Sequence, residues 1–142
     1  MASKAHQFIS MCVLRKIKEK GYEIIAFEGD YTKIDTIKYR IPPKIFNHRP
    51  DIIGIKGQNQ ELCIGEAKTM HDLHSLRTKE QFIEYLAVIS SRIFNSCKLI
   101  IGIPQTAEGV LKNLLKELGI ISNKDVSYIV VPEILLPEDP SG

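Results

Sequence analysis

The segment that decides the fold is PDIIGIKGQNQELCIGEAK, residues 50–68. Two apolar runs, residues 51–56 and 61–67, flank the polar cluster at residues 57–60. This pattern predicts two short strands that are joined by a tight turn. Side chains alternate between the two faces of a strand. In a hairpin centred on the turn, one face therefore carries Asp51, Ile53, Ile55, Leu62, Ile64, Glu66 and Lys68.

This register pairs Lys56 with Glu61 and brings Asp51 opposite Glu66, where paired Cβ atoms lie about 4.5–5.5 Å apart. Two carboxylates at that separation repel each other, whereas a hard divalent cation between them removes the repulsion. Lys68 follows Glu66 on the same face, about 6.6–6.8 Å along the strand. Its ammonium can orient an attacking water there or offset phosphate charge. Two acids and a lysine around Mg²⁺ are the groups that metal-assisted phosphodiester hydrolysis needs.

A purely structural interpretation of these residues stays open. Asp51 follows Pro50 and can simply begin a strand, while Glu66 and Lys68 can form an exposed ion pair. The charged sequence Glu66-Ala67-Lys68 comes directly after an apolar run, unlike a strand that only continues a core. This contrast favours a cation site over the purely structural interpretation.

The composition is that of one globular domain. The chain has 142 residues, of which 44% are hydrophobic and 25% charged, and this excludes disorder and fibrous repeats. Apolar runs such as residues 99–103 are far shorter than the roughly 20 residues of a membrane span, and we find no signal peptide. We expect one cytoplasmic domain, residues 1–142, that has no membrane association and ends in a proline-rich tail at residues 132–142. Three scattered cysteines predict buried free thiols in a reducing compartment.

Hydrophobic periodicity and turn residues predict the other elements. We expect helices over residues 4–20, 79–94 and 106–118, and strands over 22–27, 98–103 and 126–131. A polar connection at residues 69–77 precedes the second helix, and residues 29–49 predict a loop with a short strand near 37–41. The order α-β-β-β-α-β followed by α-β predicts an α/β domain whose mixed central sheet is flanked by helices.

The first third of the chain is basic. Residues 1–49 contain ten Lys or Arg and five Asp or Glu, which suits a polyanionic partner such as DNA. Basic and aromatic residues alternate through the predicted loop, where they can contact a nucleic-acid backbone or simply be solvated. They are Tyr31, Lys33, Lys38, Tyr39, Arg40, Lys44, Phe46, His48 and Arg49.

Pro50-Asp51, with Glu66-Ala67-Lys68 fifteen residues after the aspartate, resembles the motif of the PD-(D/E)XK nuclease superfamily. The resemblance covers residues 4–103 and implies the restriction-endonuclease-like fold. It also implies that Asp51, Glu66 and the Ala67 carbonyl bind Mg²⁺, for which Mn²⁺ can substitute, and that Lys68 assists the nucleophilic water. Archaeal Holliday-junction resolvases and small restriction endonucleases are similar in size.

Gln81 and Tyr85 resemble the Q-x-x-x-Y motif of RecB-like nucleases, and at a spacing of i, i+4 they share a helix face. The resemblance implies that this face contacts DNA or the active site. Two structural interpretations also remain open. Residues 78–81 fit a capping box that Gln81 closes, and Tyr85 can belong to the core.

The chain departs from the family on its first helix, where many relatives carry a glutamate. His6, Gln7 and Ser10 occupy that region, so a third acid would be Glu28 or Asp72. His71 and His74 lack the further ligands of a zinc site, and no P-loop, dinucleotide-binding or serine-hydrolase motif is present.

The expected function is that of a Mg²⁺-dependent DNA nuclease, an endonuclease of restriction, repair or recombination. We expect a homodimer or a subunit of a larger nuclease assembly. The alternative is a non-catalytic nucleic-acid-binding or assembly subunit that keeps the nuclease fold.

Overall fold

The computed structural model describes residues 3–29, 39–58 and 60–138. Its centre is one five-stranded sheet whose strands lie in chain order: β1 (Glu23–Phe27), β2 (Ile52–Lys56), β3 (Glu61–Ala67), β4 (Ser96–Pro104) and β5 (Val126–Val131). The first three strands are antiparallel, whereas β3, β4 and β5 are parallel. The helices are α1 (Lys4–Glu19), α2 (Met70–Leu73), α3 (Leu76–Ser91) and α4 (Glu108–Glu117), with 3₁₀ turns at Gln105–Ala107 and Glu133–Leu135. The predicted α/β fold class, a mixed sheet flanked by helices, is confirmed.

The hairpin of β2 and β3 has the predicted register, in which Lys56 pairs with Glu61 and Ile53 pairs with Ile64. Ile53 and Ile64 pack into the core beneath α3 and α4. Cys63, on the opposite face of β3, packs into the core beneath α1. The alternation of side chains between the two cores follows directly from the strand period of two.

Helix α1 packs very closely on the sheet. Its apolar side, which includes Ile9, Val13 and Ile17, is fully buried. A Cβ atom at Gly65 would lie 2.8 Å from Ile17 and 2.9 Å from Val13, so only glycine allows this approach. The close packing fixes the second half of α1 against β3.

Helix α3 begins earlier than predicted, at Leu76, and ends at Ser91. The Ser75 hydroxyl accepts a hydrogen bond from the Thr78 amide at 3.2 Å and thereby caps the helix. Thr78 is buried, and its own hydroxyl donates to the Asp72 carbonyl at 2.7 Å. The predicted capping box at residues 78–81 is therefore wrong, because Gln81 lies in the second turn of α3.

Part of the predicted polar connection at residues 69–77 is also helical. The short helix α2 begins with a capping box between Thr69 and Asp72. Other boundaries differ from the prediction by one to three residues. Strand β4 begins at Ser96 rather than at residue 98, and a left-handed Arg92 ends α3 before residue 94.

Two predicted segments lie partly outside the described residues. Of the short strand expected near residues 37–41, residues 37 and 38 are not described, and Arg40 forms one isolated bridge with Ala26. The segment at residues 132–142 includes the 3₁₀ turn at Glu133–Leu135, while residues 139–142 are not described. Its assignment as a tail stays a prediction.

No helix in residues 3–29, 39–58 and 60–138 is long and apolar enough to cross a bilayer. The three cysteines are free, and Cys63 and Cys97 are buried while Cys12 is half-buried.

Candidate active site

The candidate site lies at the edge of the sheet where β2 begins and the parallel strands β3 and β4 end. Asp51 directly precedes β2, Glu66 and Ala67 end β3, and Lys68 follows. Clefts at the carboxyl ends of parallel strands are common places for ligands. A cavity of about 750 Å³ opens here, and Asp51, Glu66, Lys68 and Gln81 line it.

Asp51 and Glu66 form a buried carboxyl pair, with exposed fractions of 7% and 2%. Burial and the charge of Asp51 hold the pKa of Glu66 well above its ordinary value. Burial also acts to raise the pKa of Asp51, but hydrogen bonds with His6 and Glu66 outweigh it and lower that pKa. The two carboxyls therefore disfavour being ionised at the same time.

The backbone at the end of β3 contributes to the same site. The Ala67 amide donates to Oδ2 of Asp51 at 2.8 Å. If the β2–β3 register is continued by one more pair beyond Asp51 and Glu66, Ala67 lies opposite Pro50. Proline has no N–H, so Pro50 cannot donate a backbone hydrogen bond to the Ala67 carbonyl.

These groups fit a hard divalent cation. Two carboxylates and a carbonyl are all oxygen donors, which Mg²⁺ and Mn²⁺ prefer. Within the described part of the chain, no group of three or more His, Cys, Asp or Glu side chains is placed to hold a metal ion. Water would therefore have to supply the remaining ligands, as it does in many Mg²⁺ sites.

Lys68 is buried beside the carboxyl pair, and its Nζ donates a hydrogen bond to Oε1 of Gln81. Gln81 is itself 3% exposed. Gln81 also lines the cavity, and its side-chain oxygen holds the ammonium of Lys68. An exposed ion pair between Glu66 and Lys68 is excluded, because both side chains are buried.

Tyr85 lies one helical turn after Gln81 and contributes to both the core and the site. Its ring is fully buried, and its hydroxyl donates to Oε2 of Glu66 at 2.9 Å. Both residues of the Q-x-x-x-Y pattern therefore hold a candidate catalytic side chain in position.

His6, in the first turn of α1, reaches the carboxyl pair. Its Nε2 lies 3.4 Å from Oδ2 of Asp51. Burial alone acts to lower the pKa of His6, but the hydrogen bond to Asp51 and the charge of Asp51 raise it above the ordinary value. Gln7 and Ser10 are not among the residues that line the cavity.

Both residues considered for a third acid line the cavity. Oδ2 of Asp72 accepts hydrogen bonds from the amide and the hydroxyl of Thr69, each at 2.9 Å, and so caps α2. The Glu28 amide donates to the Asp51 carbonyl at 2.9 Å, which keeps Glu28 next to the site.

The basic residues divide between the cavity and its surroundings. Arg49 lines the cavity, whereas Arg40 and Lys44 are exposed and are not among the lining residues. Lys38 lies outside the described residues, as do Tyr31 and Lys33. Sequence analysis missed Arg77, which also lines the cavity. The sequence could have indicated this residue, because Arg77 lies four residues before Gln81 and residues at i and i+4 share a helix face.

Comparison with known proteins identifies no family, since no family model and no curated protein matches the chain. Among solved structures, a repair endonuclease from Pyrococcus abyssi is similar over 93% of this chain and 48% of its own chain. The sequence identity is 15% and the TM-score is 0.48. The chain thus spans about half the length of that protein.

Proposed function

We propose that this protein is a Mg²⁺-dependent deoxyribonuclease of the PD-(D/E)XK type, which hydrolyses phosphodiester bonds in DNA. One observation carries the proposal: Asp51 and Glu66 face each other in a cavity, buried, with Lys68 beside them. A buried pair of like charges is unfavourable unless other groups compensate it. A cation site accounts for the pair better than a structural role does.

In this proposal the oxygens of Asp51, Glu66 and Ala67 hold the cation. When bound, a divalent cation lowers the pKa of a coordinated water and polarises a phosphate oxygen. Lys68 would orient the attacking water or stabilise negative charge on the phosphate, and Gln81 would hold its ammonium in place. Tyr85 would keep Glu66 in a fixed orientation.

The other assignments follow from the same chemistry. Guanidinium groups bind phosphate with two parallel hydrogen bonds, so Arg49 and Arg77 on the cavity wall suit the DNA backbone. The all-oxygen ligand set would also accept Mn²⁺. Cutting both strands of a duplex requires two sites, and we therefore propose a homodimer or a subunit of a larger nuclease assembly in restriction, repair or recombination.

A cleavage assay on plasmid, linear duplex, single-stranded and branched DNA tests the proposal. We expect cleavage with Mg²⁺ or Mn²⁺ and none with EDTA. Asp51→Asn should abolish cleavage, which also controls for a contaminating nuclease. Asp125→Asn is the matched control, because Asp125 pairs with Lys98 at 2.7 Å and does not line the cavity.

Binding of these DNAs without cleavage under any condition would contradict nuclease activity. It would favour the non-catalytic nucleic-acid-binding or assembly subunit.

A further inference from the structure

The turn at residues 45–48 has a backbone conformation that its sequence does not explain. Ile45 and His48 exchange two backbone hydrogen bonds of 2.7 and 3.2 Å, which leaves Phe46 and Asn47 at the tip. Phe46 has a φ of 57°, and of the two tip residues it alone has a positive φ. This pattern is typical of a type II′ turn, whose first central position favours glycine.

Phe46 is unfavourable here for a second reason, because 66% of the residue is exposed to solvent. The other described non-glycine residues with positive φ have local explanations. Arg92 ends α3 in a left-handed cap, and Gln58 follows Gly57 in the β2–β3 turn. A bulky residue that is held in a strained conformation and is also exposed points to a function for its side chain.

The turn is anchored to α3, so its backbone has a defined place. The Asn47 amide donates to Oε1 of Glu84 at 3.2 Å, and Nδ1 of His48 lies 2.9 Å from the same oxygen. Nε2 of His48 lies 3.9 Å from Oε2 of Glu80. Two side chains of one helix therefore fix the base of the turn.

The tip of this anchored turn lies near the candidate active site. Arg49 lines the cavity and follows Phe46 by three residues, which span at most about 11 Å of extended chain. The exposed side chains of Arg40 and Lys44 belong to the same segment. Basic side chains beside an exposed aromatic ring are the usual means of holding unpaired bases: the charges contact phosphates, and the ring stacks on a base.

We propose that Phe46 stacks on an unpaired base of the DNA next to the phosphodiester that is cleaved. The preferred substrate class is then DNA with a single-stranded or branched segment, rather than a fully paired duplex. This inference rests on the proposed nuclease function and names the substrate of the same site.

The test uses branched DNA that carries 2-aminopurine at an unpaired position near the branch. Stacking on an aromatic ring should quench its fluorescence in the Lys68→Ala protein, which is chosen so that the DNA stays intact. In the protein that keeps Lys68, Phe46→Ala should cut branched DNA about 5- to 150-fold more slowly and leave the rate of duplex cleavage unaltered. Phe46→Trp should restore both quenching and rate, whereas Phe46→Leu should not.

Two further variants separate stacking from a structural role. Phe46→Gly relieves the positive φ, so it should unfold at no lower temperature than the wild type and still lose the preference for branched DNA. Ile93→Ala removes another exposed apolar side chain, which is 77% exposed and lies beyond the end of α3. Ile93→Ala should match the wild type in 2-aminopurine quenching and in the cleavage rates of branched and duplex DNA.

Equal quenching and equal rates in wild type, Phe46→Ala and Phe46→Gly would overturn the inference while leaving the nuclease proposal intact. Loss of self-association with unchanged DNA binding would also overturn it, because Phe46 would then contact protein. Phe46-dependent quenching without cleavage of any DNA would support the stacking and reject the nuclease.

Discussion

At the scale of single residues, Glu66 couples the site to the stability of the fold. Its raised pKa favours the folded state at low pH, below the ordinary glutamate value of 4.5. This contribution is lost as the pH rises through the raised pKa, because the unfolded chain ionises more readily. Glu66→Gln should therefore raise the unfolding temperature in EDTA, and the gain should grow from acidic to alkaline pH.

Glutamine cannot ionise, so Glu66→Gln avoids the cost of burying a second negative charge beside Asp51. Mg²⁺ should narrow the difference in unfolding temperature between the wild type and Glu66→Gln, since only the wild type is stabilised by binding the cation. Thermal unfolding across a pH series, with and without Mg²⁺, checks this. Identical unfolding temperatures at every pH would show that ionisation of Glu66 does not destabilise the folded state.

Gln81 provides a second test at this scale. Gln81→Leu leaves the buried ammonium of Lys68 without its acceptor, and should lower the free energy of unfolding by about 1–3 kcal/mol or more. Gln81→Glu keeps an acceptor and should retain stability, but its charge should draw Lys68 into an ion pair and slow cleavage. Denaturant unfolding and cleavage rates measure the two effects.

The control for Gln81 is Lys79→Ala on the same helix, which removes an exposed ion pair with Glu117. It should change stability by less than about 1 kcal/mol. A fully active Gln81→Glu protein would contradict the positioning role.

Sequence alone predicts some of these residues and not others. Alternation along two paired strands is enough to bring Asp51 opposite Glu66. The helical spacing of Gln81 and Tyr85 predicts a shared face, but the direction of that face depends on how α3 packs on β4. The contact of Gln81 with Lys68 is therefore a product of tertiary packing.

At the scale of elements, the start of α3 is the clearest difference between sequence and structure. Ser75→Ala should lower the free energy of unfolding by about 1 kcal/mol, because Ser75 caps the helix. Ser91→Ala changes an exposed serine at the other end of α3 and should stay within about 0.5 kcal/mol of the wild type. Equal effects of the two substitutions in denaturant unfolding would argue against Ser75 as the cap.

The reason that the helix start was mispredicted is physical. Thr69, Ser75 and Thr78 all have side chains suited to capping. Only burial distinguishes Thr78, whose hydroxyl donates inward to Asp72. The hairpin was predictable because a short turn and two apolar runs admit one register that buries both strands.

At the scale of the whole molecule, the charge asymmetry predicts which side meets DNA. Charge reversal at Arg40, Lys44 and Arg49 should weaken DNA binding more than reversal at Lys112, Lys116 and Lys124. The first triple variant should also show a weaker dependence of DNA affinity on salt concentration. Each phosphate contact contributes about 0.9 to the slope of log affinity against log salt concentration. Filter binding at several salt concentrations measures both quantities. Equal losses from the two triple variants would reject a basic DNA-binding side.

The arrangement of the sheet was predictable in outline. A two-stranded hairpin must be antiparallel, and strands joined through α3 and α4 are readily parallel, so the order of elements implies a mixed sheet. The placement of the turn at residues 45–48 beside α3 was not predictable, because it depends on contacts of His48 and Asn47 with a helix far away in sequence.

The most direct test of the central claim is the single-turnover rate of DNA cleavage, measured as a function of Mg²⁺ concentration. Asp51→Asn should show no saturable Mg²⁺ dependence, because it loses a cation ligand. Lys68→Ala should reach a plateau about 10²–10⁴-fold below the wild type, with half-saturation at the same or a lower Mg²⁺ concentration. A wild-type plateau for Lys68→Ala, or a wild-type Mg²⁺ curve for Asp51→Asn, would contradict the assignment of this cavity as a nuclease site.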